Sequence, residues 1–180
     1  MPRHTLCALV ENRPGVLARV ANTFRRRGFN LDSLTVGRTQ RDDLSRMTLV
    51  VDGSSEEAER LQKYLYKLVN VIQVEHLSET PSVVRDLALI KVKADAERRR
   101  EVTHLCDLFR ARVIDVSEQT MIVEATGDER KIENLVELLR PLGIVEMVRT
   151  GVVALGRGEH TLRHDAYRPN LTPASRPSVL

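Results

Sequence analysis

The fold of this chain is decided by residues 5–37, which read TLCALVENRPGVLARVANTFRRRGFNLDSLTVG. The apolar run over residues 4–11 predicts a β-strand, and the Asn, Pro and Gly of residues 12–15 predict a turn after it. Beyond the turn, apolar residues recur at helical spacing and predict a helix over residues 16–27. The inward stripe predicted for this helix consists of Val16, Leu17, Val20, Ala21 and Phe24.

The remainder of the first half continues the alternation of strands and helices. Gly28 ends the first helix, because glycine tolerates the left-handed backbone common at helix C-termini. Strands are predicted over residues 30–38, 46–52 and 71–77. A second helix begins near residues 54–55, where a serine N-cap precedes two glutamates.

The second half of the chain repeats this order. Its predicted strands cover residues 87–94, 112–117, 121–125 and 144–149, and its predicted helices cover residues 97–109 and 129–140. Each half therefore reads β-α-β-β-α-β, a pattern that folds as two helices on one face of a four-stranded antiparallel sheet.

We predict an α+β protein with two tandem ferredoxin-like domains. The first covers residues 3–79, the second covers residues 84–158, and residues 159–180 form a proline-containing, disordered tail. A sheet with helices on one side leaves its other face or its edge to be covered by a neighbour. We therefore expect at least a homodimer.

Composition excludes several classes of protein. No run approaches the roughly 20 apolar residues of a membrane span, and the N-terminus lacks the pattern of a signal peptide. The net charge is +3, but four arginines lie from residue 157 onward and no basic stripe marks a folded face, so we expect no nucleic acid partner. Cys7 and Cys106 lie among apolar neighbours, which predicts buried, reduced thiols and a cytoplasmic protein.

The sequence also lacks the residue patterns of a catalyst. Its five histidines do not cluster with Cys or carboxylates at metal-ligand spacing, and no phosphate-binding glycine loop or nucleophile elbow is present. Aromatic residues make up 3% of the chain and map outside the predicted sheets, so an RNA-stacking platform is missing. We predict no catalytic, cofactor-binding or metal-binding residue.

One candidate binding site lies at the first turn, ENRPGV. Pro14 presets a helical φ, and Gly15 lets a ligand approach the backbone closely. The amides of Gly15, Val16 and Leu17 then point out of the helix start and suit a carboxylate, with Asn12 in reach. The alternative is a well-capped turn with no ligand, because many helices begin this way. The matching turn of the second half, residues 94–97, has no Gly, Pro or Asn, so we place any site in the first half.

The sequence 5–37 resembles an ACT domain, a small-molecule sensor of amino-acid metabolism. More narrowly, RRGFNLDSLTVG at 26–37, LSRMT at 44–48, LALIKVKA with FRARVIDVS at 109–117, and GIVEMVRTGVVALGRG at 143–158 resemble the small subunits of acetolactate synthase. The resemblance covers roughly residues 4–158 without large gaps.

The resemblance implies a non-catalytic regulatory subunit of branched-chain amino acid biosynthesis. Its partner is a catalytic large subunit that carries thiamine diphosphate, Mg²⁺ and FAD, and the small subunit activates it and confers feedback inhibition, usually by valine. The effector lies between two ACT domains of a homodimer. The matching positions are Asn12, Gly15, Val16 and Leu17 of one protomer with Asn30 and Leu31 of the other.

Two other functions remain open at this point. A free-standing ACT sensor could act on a different target, although no helix-turn-helix is visible. A standalone enzyme would show turnover without a partner.

Overall fold

The structure, a computed structural model, describes residues 2–162. Its N-terminal elements are β1 (Arg3–Glu11), α1 (Val16–Arg27), β2 (Leu31–Arg38), β3 (Leu44–Asp52), α2 (Ser55–Tyr66) and β4 (Val71–His76). A short 3-10 turn, Leu77–Glu79, follows β4. The order predicted for the first half is confirmed.

The second half has the same order and one additional strand. Its elements are β5 (Ser82–Lys93), α3 (Arg98–Phe109), β6 (Arg112–Val116), β7 (Thr120–Gly127), α4 (Glu129–Gly143), β8 (Ile144–Arg149) and β9 (Val153–Gly156). β5 begins at Ser82, well before the predicted residue 87, because its first residues pair with β9. α4 continues past residue 140 and contains Pro141 in its last turn.

Each half forms an antiparallel sheet. The strand order is β2-β3-β1-β4 in the first sheet and β6-β7-β5-β8 in the second. The helices of each half pack on one face of their sheet, where alternate strand residues are buried. The predicted α+β fold with tandem ferredoxin-like units is confirmed. β2 is an edge strand of the first sheet.

The core of the first half lies between the sheet and its two helices. It includes Leu6, Ala8, Val10, Val20, Phe24, Met47, Leu49, Leu61 and Leu65. Burying one large apolar side chain contributes about 1.5–3 kcal/mol. The predicted stripe of α1 is wrong at two positions, since Leu17 is 46% exposed and Ala21 is also exposed. α1 instead turns Val16, Val20, Thr23 and Phe24 inward.

The second face of the first sheet is covered by the chain's own C-terminal segment. β5 pairs with β9 over residues 82–85 and with β7 from Asp86 onward. Cys7 on the sheet, Leu77 and Ala154 of β9 form a separate buried cluster, and Val84 packs against it. The neighbour that the sequence predicted for this bare face is therefore, in part, the antiparallel pair of strands β5 and β9 of the same chain.

The second face of the second sheet is more open. Val148 of β8 lies opposite Leu89 of β5 on this face and is 60% exposed. The same face also carries a charged pair, in which Lys91 Nζ of β5 lies 3.8 Å from Glu146 Oε2 of β8.

The two halves also contact each other through Arg3 at the start of β1. Its guanidinium forms a hydrogen bond with Glu129 at the start of α4 and lies 3.6 Å from Glu133 Oε1. The hydrogen bond to Glu129 raises the pKa of Arg3 above its ordinary value. Because Arg3 is 42% exposed, we expect each pair to contribute no more than about 1 kcal/mol.

The predicted tail begins inside the described residues. His160 Nε2 lies 2.7 Å from Glu75 Oε1, and Leu162 packs against the cluster of Cys7, Leu77 and Ala154. His160 and Leu162, within the tail predicted from residue 159, therefore contact the first sheet. The remainder of that prediction, residues 163–180, lies outside the described residues.

Candidate effector-binding site

The turn after β1 is tied to the turn between β2 and β3. The Asn12 backbone N–H donates to the Asp43 carbonyl at 2.8 Å, and Asn12 Nδ2 donates to the Asp42 carbonyl at 2.9 Å. The two hydrogen bonds hold the turn next to the start of α1. Because Nδ2 is used in this way, Oδ1 is the atom of Asn12 that can accept a hydrogen bond from a ligand.

Gly15 precedes α1 with a left-handed backbone. Its φ is +83°, and a Cβ added there would meet nothing within 4 Å. Glycine is therefore favoured by the backbone, and the space in front of the helix is open. The Val16 N–H, expected to be free, donates to the Arg13 carbonyl over a long 3.4 Å.

α1 differs from the other helices at its N-terminus. Ser54 Oγ, Asp95 Oδ1 and Asp128 Oδ1 each accept the backbone N–H three residues later, at the starts of α2, α3 and α4. In the described chain, no side-chain oxygen caps α1 and its first turn contains no acidic residue. The partial positive charge at this helix start is thus offset by no side chain of its own, which suits an external carboxylate.

The six candidate residues fall into two groups at opposite ends of the sheet. Asn12 lies beside Asp43, whereas Leu31 pairs with Val51 at the far end of β3. The twelve residues of α1, about 18 Å of helix, connect the two ends. One chain therefore does not bring the two groups together. A site made of both groups would need a second chain.

The side chains of the candidates also differ in exposure. Val16 is buried in the core, whereas Leu17 is 46% exposed and Asn30 is exposed. Leu31 is half-buried and packs against the core. Asn12, which is also exposed, Leu17 and Asn30 are therefore the side chains of the set most accessible to a ligand or to a second chain.

Sequence reasoning missed the role of Asp95. The turn before α3 lacks Gly, Pro and Asn, but its Asp95 carboxylate accepts the Arg98 N–H at 3.0 Å. Asp95 lies two residues ahead of the N-cap Glu97, and an Asp just before a predicted helix is a recognised start signal that could have been found in the sequence. The second half thus supplies its own carboxylate where the first half has only a long backbone hydrogen bond, from Val16 to Arg13.

Three further kinds of site concern the residues that the structure describes: a metal centre, a membrane-spanning helix and a reactive cysteine. No group of three His, Cys, Asp or Glu residues between positions 2 and 162 could hold a metal ion. Over the same residues no helix is both long and apolar enough to cross a membrane. Cys7 and Cys106 are free and buried, and burial raises the pKa of the Cys106 thiol.

Two β-α-β-β-α-β domains in tandem are the architecture of an ACT-type regulatory protein. Residues 6–73 match the family described as AHAS small subunit-like ACT domain, and residues 85–158 match the family described as small subunit of acetolactate synthase. The chain belongs to the acetolactate synthase small subunits, the non-catalytic regulatory subunits of that transferase complex. The family implies a catalytic large subunit as partner.

Relatives from archaea and bacteria support this assignment. The chain is 54% identical over 156 residues to a probable acetolactate synthase small subunit of Archaeoglobus fulgidus, covering 87% of this chain and 98% of that protein. It is 50% identical over 157 residues to the acetolactate synthase small subunit of Mycolicibacterium smegmatis, covering 87% and 92%. The crystal structure of the acetolactate synthase small subunit from Thermotoga maritima superimposes with a TM-score of 0.81 at 41% identity, covering 89% of this chain and 100% of that one.

Proposed function

We propose that this chain activates its large subunit and makes it sensitive to feedback inhibition by a branched-chain amino acid, with valine as the first candidate. The single observation that carries the proposal is the start of α1. There the space next to Gly15 is open, and no side chain caps the first amides of the helix. A carboxylate is the ligand group that such a helix start favours.

The surrounding residues suit the remainder of an amino acid. Asn12 Oδ1 can accept from the α-ammonium group, and Asn30 offers a second amide oxygen. Leu17, exposed beside the helix start, and Leu31 provide apolar contact for a branched side chain. Val16 supports the site from within the core.

Dimerisation through β2 would bring the two groups of residues together. β2 is an edge strand, so its outer backbone groups are free to pair with a second copy of β2. A twofold axis makes the two strands antiparallel, which places the start of one β2 beside the end of the other. Asn30 and Leu31 of a second copy then lie at the same end of the sheet as Asn12 and Gly15.

Regulation follows if the effector favours one arrangement of the two protomers. An effector shifts an equilibrium only by its difference in affinity for the two states, typically about 1–3 kcal/mol. The large subunit would sense the arrangement through its contact with this chain. In this proposal thiamine diphosphate, Mg²⁺ and FAD bind to the large subunit, and this chain binds none of them. The free, buried cysteines fit a reducing cytoplasm.

The test is acetolactate formation by the cognate large subunit, with and without this chain, across a valine titration. We expect the chain to stimulate turnover and valine to inhibit only when the chain is present. Gly15→Asp should retain stimulation but raise the half-inhibitory valine concentration by about tenfold or more, because a carboxylate would occupy the ligand position. Ala96→Asp, at the matching turn of the second half, is the control and should behave like the wild type.

The other outcomes distinguish between errors in the effector, in the placement of the site and in the function itself. Stimulation without valine sensitivity would retain the partner and move the search to leucine or isoleucine. Full valine sensitivity in Gly15→Asp would contradict the placement of the site. If neither stimulation nor inhibition occurred, the proposed function would be wrong and a free-standing amino-acid sensor would become the leading alternative.

A further inference from the structure

A cavity of about 440 Å³ lies between the second face of the first sheet and residues 155–162. It is on the side of the sheet opposite to α1, so it is separate from the candidate effector site. Its apolar lining comes from Leu9, Leu44, Leu155 and Leu162. The volume is within the range of small-molecule sites. We refer to it as the second-face cavity.

Two charged side chains point into the second-face cavity from strands on either side of β1. Arg46 of β3 lies opposite Leu9, and Glu75 of β4 lies opposite Cys7. The strands β3 and β4 are about 10 Å apart across β1, a distance that two long side chains and a small ligand can bridge. Arg38 lines the same cavity and is exposed.

Each of the two side chains has one polar group in contact with a partner and one buried polar atom without a hydrogen-bond partner in residues 2–162. Arg46 Nη2 donates to the Ala154 carbonyl at 2.9 Å, while its Nε is buried with no hydrogen-bond partner in residues 2–162. Glu75 Oε1 lies 2.7 Å from His160 Nε2, while its Oε2 is buried and, in the same residues, also lacks a hydrogen-bond partner. A buried donor and a buried acceptor left unpaired are unfavourable, and they define what a ligand should offer.

We propose that the second-face cavity binds an α-amino acid with an apolar side chain as a zwitterion. The ligand carboxylate accepts from Arg46 Nε, with Arg38 near it, and the ligand ammonium donates to Glu75 Oε2. The ligand side chain lies against Leu9 and Leu155. Because the walls come from the first sheet and from residues 155–162, a bound amino acid would stabilise the contact between these residues and that sheet.

The test of this proposal is the binding of leucine to the full chain. Calorimetry measures the affinity, and methyl NMR of Leu9 and Leu155 reports on the cavity. All measurements use the Gly15→Asp background, which removes the candidate effector site and so separates the two proposals. We expect leucine to shift the Leu9 and Leu155 methyl signals. Glu75→Gln and Arg46→Gln should each weaken binding about tenfold or more, and Glu137→Gln, an exposed carboxylate on α4, should not.

Two leucine analogues provide a test that does not depend on variants. 4-Methylpentanoate lacks the ammonium and 3-methylbutan-1-amine lacks the carboxylate, so each should bind about tenfold or more weakly than leucine. Several results would overturn the proposal: no binding of leucine, equal binding of 4-methylpentanoate, unchanged binding to Glu75→Gln, or binding only after removal of residues 163–180. The last result would mean that the chain's own terminus occupies the cavity.

Discussion

The two halves share one topology but differ at two places that matter for function. Both have the order β-α-β-β-α-β, and both place two helices on one face of an antiparallel sheet. They differ at the start of the first helix of each half and in what covers the second sheet face. Because the fold is common to both, a binding function specific to one half has to come from these local differences.

The helix starts show the first difference most clearly. α3 receives a carboxylate from Asp95 of its own chain, whereas α1 follows a glycine and has no side-chain cap among the described residues. The first helical N–H donates to a carboxylate in one half, at Arg98, and only to a backbone carbonyl over a long 3.4 Å in the other, at Val16. This contrast supports a binding role for the first half more strongly than the ENRPGV turn does alone.

The largest expected effect concerns the covered face of the first sheet. Ala154→Lys would force a long cation into the cluster with Cys7 and Leu77, close to Arg46, where Ala154 is 5% exposed. We expect a loss of about 3 kcal/mol in the free energy of unfolding by urea. Hydrogen exchange should accelerate in β1 and β3 and stay unchanged in β7.

Leu155→Lys is the matched control, since Leu155 follows directly in β9 and is 60% exposed. Its effect should stay within about 0.5 kcal/mol. If Ala154→Lys lost as little free energy of unfolding as Leu155→Lys, the packing of β9 on the first sheet would not contribute to stability.

The next effect in size concerns the turn before α1. Gly15→Ala introduces a Cβ at a φ of +83°, a backbone conformation that costs an L-residue about 1–2 kcal/mol. The added methyl group meets no atom within 4 Å, so backbone strain is the only cause. Gly37→Ala in β2, where φ is not positive, should be neutral or slightly stabilising in the same urea titration. A neutral Gly15→Ala would contradict the left-handed backbone.

Most of the fold could be predicted from the sequence, because apolar spacing is local information. The strands and helices of both halves follow from periods of two and of about 3.6. The exposure of Leu17 and Ala21 could not be predicted in this way, since the tilt of α1 on the sheet depends on packing with distant residues. The antiparallel pair of β5 and β9 that covers the first sheet was also missed, because it requires β5 to begin at Ser82 and to pair with residues 153–156, far away in sequence.

The residues of the candidate effector site could likewise be predicted only in part from local sequence. Residues 12–17 form one continuous turn and helix start, so local chemistry alone marks them as a possible anion site. Asn30 and Leu31 lie at the other end of the sheet, and only the family resemblance associates them with the turn. Arg46 and Glu75 lie 29 residues apart in sequence and meet only in the folded sheet. No pattern in the sequence could have paired them.

A smaller effect should follow removal of the internal carboxylate from the second half. Asp95→Ala deletes the acceptor of the Arg98 N–H and should cost about 1 kcal/mol, with faster exchange in the first turn of α3. Asp115→Ala, an exposed position on β6, removes the same charge without a cap and should have little effect. If Asp95→Ala and Asp115→Ala behaved alike, the contrast between the two helix starts would lose its basis.

The smallest effect is a pH dependence confined to the first half. His76 of β4 is buried, its Nε2 lies 3.0 Å from His4 Nδ1, and its Nδ1 lies 3.2 Å from Glu79 Oε1. Burial lowers the pKa of His76 below its ordinary value, against the opposing effects of Glu79 and Glu59, while His4 lowers it further. The unfolded chain therefore takes up a proton first as the pH falls, and stability present above about pH 6.5 is lost below it.

Urea titrations at pH 7.5 and pH 5.5 measure this contribution. We expect the wild type to lose more free energy of unfolding between the two pH values than His76→Gln does. His104 is exposed on α3 of the second half, so His104→Gln is the control and should keep the wild-type difference. Parallel losses in His76→Gln and the wild type would exclude His76 as the source. A larger reduction in His104→Gln would move the pH-sensitive group to the second half and reverse this part of the comparison.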